Sequence, residues 1–159
     1  MPLKRTRARA GLNEMPIKSF ELISMEAKRY SKLGERIPHL RVDHNTTVTN
    51  ISATTEKEAQ MDFRFTVNYV GVGMIKIEGR VVWDGEAKTL ATQWSQTNAL
   101  PNDVFNPVLA AIWANCMPSA VVTARDLGLP PPLPPPQIQT APQQKAPSGK
   151  DKNRSMEVA

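Results

Sequence analysis

Residues 60–69 read QMDFRFTVNY, the clearest secondary-structure signal in the chain. Apolar and polar side chains alternate along it, which is typical of a β-strand that buries one face. The segment GVG at residues 71–73 then predicts a tight reversal. Alternation resumes over residues 74–83, so the two strands are predicted to form an antiparallel hairpin with a shared apolar face. The apolar residues of that face are Met61, Phe63, Phe65, Val67, Tyr69, Ile75, Ile77, Val81 and Trp83.

Two further strands are predicted upstream of the hairpin. Residues 17–28, IKSFELISMEAK, are rich in apolar side chains whose parity changes within the segment, which indicates a β-bulge or a strand covered on both faces. Residues 40–53 are dense in β-branched side chains, which suit a pleated sheet. The four segments together predict a meander of four antiparallel strands, with one apolar face that another layer must cover.

A long helix is predicted to supply that cover. Asn106 and Pro107 are typical of a helix start, and an apolar stripe at helical spacing continues to about Asp126. Pro118 lies inside this helix and predicts a kink or a break. The fold class is therefore α+β: a four-stranded antiparallel meander sheet packed with a long C-terminal helix.

The segments around this helix are less regular. Residues 86–100 are ambiguous between a short helix and an ordered crossover loop, because Leu90 and Trp94 stand four residues apart. After the helix, Gly128 and the sequence LPPPLPPP at residues 129–136 prevent any helical continuation. We expect disordered tails at residues 1–15 and 139–159 and a single folded domain over residues 16–138.

The net charge of +5 belongs to the tails. Residues 1–15 carry +3 and residues 137–159 carry +2, whereas the 12 basic and 12 acidic groups between them cancel. A nucleic-acid-binding domain normally shows a basic face on its folded part, so this distribution argues against nucleic acid as a partner.

The chain shows no enzyme signature in its sequence, and we expect no catalysis, cofactor or metal. Cys116 is the single cysteine, and the two histidines, His39 and His44, lie far from it in sequence. No glycine-rich phosphate loop and no metal-ligand spacing is present. Because no apolar run reaches the roughly 18 to 20 residues of a membrane span and no secretory signal is seen, we expect a cytoplasmic protein without a membrane span.

Three stretches resemble the SecB family of protein-export chaperones. They are IKSFELISMEAKRY at residues 17–30, MDFRFTVNY at residues 61–69, and NPVLAAIWANCMPSAVVTARDLGLPPPLPPPQI at residues 106–138. The resemblance implies an ATP-independent holdase that binds non-native preprotein for export. It also implies a homotetramer built as a dimer of dimers.

The resemblance further implies a groove with a deep aromatic subsite and a shallower apolar one. The deep subsite would be formed by Phe63, Phe65, Trp83, Trp94 and Phe105. The shallow subsite would draw on Val104 and Leu109, and the helix stripe would bury Ile112 and Cys116, partly in a subunit interface.

Several alternatives stay open beside the export chaperone, among them a nucleic-acid-associated protein that uses its basic tails and an enzyme with an unrecognised site. Two of the alternatives rest on particular features of the sequence. The neutral core and basic tail depart from the family and argue against docking of a SecA-type motor, so a chaperone for an antitoxin or another dedicated client is the first alternative. The second is a proline-rich adaptor in which residues 129–136 bind an SH3- or WW-like domain. That alternative requires the proline-rich segment to be exposed.

Overall fold

A computed structural model describes residues 16–133 of the chain. It confirms an α+β fold with a four-stranded antiparallel sheet and a long C-terminal helix. The elements are β1 (Ile17–Arg29), β2 (Val42–Ala53), β3 (Glu58–Tyr69), β4 (Gly73–Asp84), α1 (Ala87–Thr97) and α2 (Asn102–Asp126). The tails predicted at residues 1–15 and 139–159 lie outside the described residues, as do residues 134–138 of the predicted domain.

The strand order is β1-β4-β3-β2, so the predicted meander is wrong. Short turns join β2 to β3 and β3 to β4, and these three strands are neighbours as expected. Residues 30–41, however, carry the chain from β1 past both central strands to the far edge. A connection of this length does not force sequential strands to pair, and the resulting arrangement is a Greek key. Strands β1 and β2 are therefore the two edges of the sheet.

Two bulges explain the parity change in β1. The register shifts between Ile17 and Ser19 and again between Leu22 and Ser24. Between the shifts Phe20 pairs with Val81, and after the second shift Met25 pairs with Ile77. Each bulge inserts one residue, so even- and odd-numbered side chains of β1 reach the same face of the sheet. The ring of Phe20 consequently lies 5.2 Å from that of Phe63 in the core.

The hairpin of β3 and β4 has the predicted alternation. Its apolar side chains face α2 and form the core, whereas its charged side chains face the opposite way. Gly79 stands opposite Phe63 in this ladder. A Cβ atom added at Gly79 would lie 2.6 Å from Cζ of Phe63 and would also collide with the carbonyl oxygen of Glu21. The sheet thus requires glycine where the large aromatic ring crosses β4.

Helix α2 begins at Asn102, before the predicted start at Asn106 and Pro107. Pro101 precedes the helix, and its carbonyl oxygen accepts bonds from the amides of Val104 and Phe105. The helix then runs through Pro107 and continues through Pro118, so it is not broken there; a kink at Pro118 stays a prediction. Each proline removes one backbone donor, but packing of the apolar stripe on the sheet holds the helix together. The buried stripe comprises Val104, Val108, Ile112, Cys116, Met117, Ala120 and Ala124.

Helix α2 is also long and apolar enough to cross a membrane by length and composition alone. It contains an 18-residue window that is apolar on average and holds few charged side chains. The expectation that no segment meets these criteria was therefore wrong. The core helix of a globular domain meets the same criteria, and the buried stripe of α2 packs on the sheet.

The start of the proline-rich segment lies across the end of the sheet. Leu129 is 5% exposed and packs against Gly73 of β4. The Tyr69 hydroxyl of β3 donates to the Pro130 carbonyl oxygen at 2.6 Å, and the His44 ring of β2 hydrogen-bonds the Pro132 carbonyl oxygen. Leu129 and Pro132 are buried, whereas Pro130, Pro131 and Leu133 are exposed. The adaptor alternative, which requires an exposed segment over residues 129–136, is therefore only partly tested and stays a prediction.

Arg29 joins the end of β1 to the end of α2. Its Nη1 atom donates to the carbonyl oxygens of Leu127 at 2.8 Å and Gly128 at 2.7 Å. Its other nitrogens donate to the carbonyl oxygens of Ser31 and Lys32, each at 3.0 Å. A guanidinium at a helix C-terminus satisfies carbonyl groups that have no partner within the helix, so this contact fixes α2 relative to the sheet.

Candidate binding groove

A cavity of about 330 Å³ opens beside the edge strand β2. One wall belongs to β2, and the other belongs to the end of α1, the following connection and the start of α2. We call it the β2 groove; its lining residues are Thr46, Thr47, Val48, Trp94, Asn98, Ala99, Leu100 and Phe105. Its size is within the range of cavities that accept small ligands or several side chains.

The connection between the two helices sets the shape of the groove. Asn98 ends α1 in the left-handed conformation, with φ of 51°, and its amide donates to the Trp94 carbonyl oxygen at 2.8 Å. Asparagine tolerates this conformation better than most residues, so the chain can reverse without glycine. Leu100 and Pro101 then lead directly into α2. The reversal brings Trp94, Leu100 and Phe105 to one cavity.

The groove combines apolar side chains with an unpaired sheet edge. Trp94, Leu100 and Phe105 are half-buried, so part of each side chain faces the opening, and Val48 is 7% exposed at the base. Strand β2 is the last strand of the sheet, so one of its edges carries backbone donors and acceptors without a strand partner among residues 16–133. An extended polypeptide could place side chains in the cavity and pair its backbone with β2.

Thr46 adds a polar group to this wall. Its hydroxyl oxygen is buried and has no hydrogen-bond partner within the described part of the chain. A buried hydroxyl without a partner is unfavourable by about 1 to 3 kcal/mol. Because this oxygen is closed to solvent, a bound chain would reach it only after the wall of the groove moved.

A second cavity, of about 380 Å³, lies on the other side of the helix connection. We call it the Trp83 cavity, since Trp83 and Val104 are among its buried lining residues. Three carboxylates, Asp84, Glu86 and Asp103, also line it. The two cavities therefore differ in character: the β2 groove is apolar with hydroxyls, and the Trp83 cavity is aromatic with acidic side chains.

The structure separates the residues predicted for the client site. Trp94 and Phe105 meet in the β2 groove, whereas Trp83 and Val104 meet in the Trp83 cavity. Leu109 is half-buried on α2 and lines neither cavity.

The two phenylalanines predicted for the deep subsite lie in the core. Phe63 is 2% exposed and Phe65 is fully buried, its ring 5.7 Å from Trp113 in an edge-on arrangement. Ile112 and Cys116, predicted for a buried interface, are already fully buried within the single chain. Their burial therefore requires no second subunit.

Sequence reasoning missed the residues of the groove that stand on the edge of β2 and in the helix connection. Thr46 and Val48 line it from β2, and Leu100 lines it from the connection. The available signal was the order Asn98-Ala99-Leu100-Pro101, since an apolar residue just before a helix-starting proline often packs against the first helical turn. The contribution of β2 depends on its place at the sheet edge, which the pattern of one strand does not reveal.

Burial decides the chemistry of the single thiol. Cys116 is fully buried on α2, and desolvation raises the pKa of its thiol to about 11. The thiolate is the nucleophilic form of cysteine, so this environment suppresses its reactivity. Among residues 16–133 no group of three or more His, Cys, Asp or Glu side chains could hold a metal ion.

Cross-strand ion pairs occupy the outer face of the sheet. Arg64 pairs with Glu78 and Arg80 pairs with Asp62, each at 2.9 Å, while Lys76 pairs with Glu26 at 3.0 Å. Hydrogen bonds from Arg64 and Ser24 lower the pKa of the Glu78 carboxyl. Opposite charges on neighbouring strands compensate one another, so this face carries no strong field of one sign.

No protein-family model and no curated protein matches the chain. Among solved structures, the fold is similar to the Mycobacterium tuberculosis Rv1957 SecB-like chaperone in complex with a ChAD peptide from Rv1956 HigA1 antitoxin. The two chains are 15% identical, with a TM-score of 0.49, and the match covers 72% of this chain and 81% of that chain. This is a likeness in the arrangement of strands and helices, at an identity that assigns no family.

Proposed function

We propose that the chain is an ATP-independent holdase chaperone that binds extended, non-native polypeptide in the β2 groove. The observation that supports this proposal is the position of the apolar cavity beside the free edge of β2. Unfolded chains expose both apolar side chains and unpaired backbone groups. A groove of this composition contacts both without reading a particular sequence.

One groove alone gives weak binding. Each captured apolar side chain contributes on the order of 1 kcal/mol, at about 25 cal/mol per Å² of buried apolar surface. Micromolar affinity corresponds to about 8 kcal/mol, so a client must contact several sites at once. We therefore propose a homo-oligomer, with the tetramer that the SecB resemblance implies as its form.

The edge strand β1 offers a surface for that assembly. It is 13 residues long, and on it Leu22, Ile23 and Met25 are 44%, 59% and 44% exposed. A long edge strand with exposed apolar side chains is a template for pairing with another chain. We propose that two copies meet along β1. This strand forms the edge of the sheet that is farthest from β2 and its groove.

We propose a dedicated client, such as an antitoxin, rather than preprotein export. A translocation motor that docks on an acidic surface would find none on the outer sheet face, where Glu78, Asp62 and Glu26 are each paired with a basic residue. On this proposal the protein acts in the cytoplasm, binds without catalysis, and needs no cofactor.

Suppression of aggregation tests the binding proposal. A denatured model substrate is diluted into buffer with the protein, and light scattering is followed. Trp94→Ala and Phe105→Ala are expected to weaken suppression and raise the client dissociation constant about tenfold or more, because each removes an aromatic contact at the groove. Leu33→Ala, at a side chain that is 80% exposed outside the groove, is the matched control.

The outcomes are distinct. Unchanged scattering and affinity for both groove variants, with urea denaturation showing that they remain folded, would reject the groove as the client site. Fluorescence anisotropy with two labelled clients separates the client classes: an unfolded antitoxin segment is expected to bind at least tenfold more tightly than an unfolded preprotein. Equal or reversed affinities would favour export.

A further inference from the structure

The described part of the proline-rich segment, residues 129–133, leads toward the β2 edge of the sheet. Leu129 packs against β4, the Pro130 carbonyl meets Tyr69 of β3, and the Pro132 carbonyl meets His44 of β2. The segment therefore crosses the sheet strand by strand and reaches its β2 edge at the end of the described chain, Leu133.

The distance from this exit to the groove is short. His44, Thr46 and Val48 share one face of β2, since they pair with Val67, Phe65 and Phe63 of β3. With a rise of about 3.3 Å per residue, His44 and Val48 are roughly 13 Å apart. Five residues in an extended or polyproline conformation, at about 3.1 Å each, cover roughly 15 Å. Ile138 is five residues beyond Leu133, and it is the first large apolar residue after it.

We propose that residues 134–140, PPPQIQT, occupy the β2 groove of their own chain, with Ile138 inserted between Trp94, Leu100 and Phe105. This segment is then a competitor for whatever the groove binds. The occupancy stands on the geometry of the chain alone; its role as a competitor of clients rests on the proposed function.

The chemistry of the segment suits the groove. Residues 134–136 are prolines, which bring no backbone donor to the apolar wall, and Gln137 and Gln139 flank Ile138 with amide groups. The segment thus offers one apolar side chain to the cavity and polar groups to its rim.

The charges of the C-terminal residues and of the Trp83 cavity are opposite in sign. Beyond Ile138 the chain carries Lys145, Lys150, Lys152 and Arg154 against Asp151 and Glu157. The adjacent Trp83 cavity has three carboxylates, Asp84, Glu86 and Asp103, that form no ion pair within the described residues. Lys18 approaches Asp84 but is itself paired with Glu58. The basic residues beyond Ile138 are therefore complementary in charge to the acidic side chains of this cavity.

Occupancy by a tethered segment would regulate access without ATP. A short tether gives an effective concentration in the millimolar range, so even a weak segment fills the groove for much of the time. If the groove is filled about nine-tenths of the time, the apparent affinity for a client falls about tenfold. Clients with several binding segments displace the tether, whereas single short peptides do not.

Thiol labelling in the full chain tests the occupancy. Ala99→Cys places a reactive group at an exposed position that lines the groove, and Cys116 is fully buried and does not interfere. In this background Ile138→Asp is expected to increase the rate of maleimide labelling several-fold, because a carboxylate does not enter the apolar cavity. Ile138→Leu is expected to retain protection. Gln96→Cys, exposed on α1 outside the groove, is the control and is expected to label at one rate in every tail variant.

Each result decides the inference. If the thiol introduced by Ala99→Cys labels at the same rate with Ile138 unchanged, with Ile138→Asp and with Ile138→Leu, the inference is overturned. Protection that disappears on dilution also overturns it, because the occupant would then be a second copy. Client competition separates the two proposals: if an unfolded client slows labelling but Ile138→Asp has no effect, the tether fails and the holdase stands. If Ile138→Asp speeds labelling but no unfolded client slows it, the tether stands and the holdase fails.

Discussion

The Tyr69 hydroxyl donates a 2.6 Å hydrogen bond to the carbonyl oxygen of Pro130, across the end of the sheet. Tyr69→Phe removes this bond while keeping the buried ring, so we expect a loss of about 1 kcal/mol in the free energy of unfolding. Urea denaturation measures the effect, and Tyr30→Phe, at a side chain that is 60% exposed, is the control.

Stability is expected to fall at alkaline pH. Burial raises the pKa of Tyr69 to about 12 and that of Cys116 to about 11. Both groups ionise at lower pH in the unfolded chain, so the unfolded state binds fewer protons and the free energy of unfolding decreases as pH rises. The loss begins near pH 9 for the thiol and near pH 10 for the phenol, and it is complete above the folded pKa values. Denaturation midpoints across this range should show a shallower decline in Tyr69→Phe; an unaltered slope would contradict the assignment.

Replacement of Arg29 by lysine is expected to lower the stability of the chain. Its guanidinium donates to four backbone carbonyls, of which those of Leu127 and Gly128 end α2. Lysine keeps the charge but cannot make the forked contact, so Arg29→Lys should destabilise the chain by about 1.5 to 3 kcal/mol. Arg41→Lys is the matched control, because Arg41 is 75% exposed and pairs only with Asp43 among the described residues. Equal thermal shifts in the two variants would show that the contact with α2 contributes little.

Gly79 is expected to tolerate no side chain. A Cβ atom there meets the Phe63 ring and the Glu21 carbonyl oxygen, so Gly79→Ala should destabilise the fold by about 3 kcal/mol. Phe63→Leu in the same chain relieves only the contact with the ring, since the Glu21 oxygen belongs to the backbone of β1. We therefore expect partial rescue at most. Chemical denaturation of the single and double variants measures the rescue. Full rescue would show that the added Cβ atom collides only with the Phe63 side chain and not with the Glu21 carbonyl oxygen.

Assembly through β1 predicts a charge-sensitive oligomer. Ile23→Lys adds a positive charge at a 59% exposed apolar position on the β1 edge, and it should shift the chain to a smaller species. Val70→Lys, at the 48% exposed turn between β3 and β4, should leave the assembly unchanged. Light scattering coupled to gel filtration gives the mass of each. If the unsubstituted chain is itself a monomer in this measurement, the assembly proposal is wrong.

The sequence alone predicts most of the elements and little of their arrangement. The alternation over residues 60–69 predicts β3 and its buried face correctly, and the parity change in residues 17–28 correctly predicts a bulge. These features depend on each strand's own pattern. The meander was wrong because strand order depends on where residues 30–41 carry the chain, and no local pattern encodes that path.

The candidate site shows the same division. Trp94 and Phe105 are exposed in part and meet as a pair, but Phe63 and Phe65 are buried under α2. An aromatic residue on an apolar strand face fits a core and a groove equally well by sequence. Whether it is covered depends on the lateral position of the helix, and α2 lies over β3 and β4, where Phe63 and Phe65 are buried.

The placement of β1 and β2 at opposite ends of the strand order has an evolutionary consequence. On our proposals, self-association uses one border and recognition uses the other, with two rigid strands between them. Substitutions around Val48 and Leu100 can then alter specificity while the quaternary structure is retained. A lineage of such proteins could exchange one client for another without passing through a form that fails to assemble.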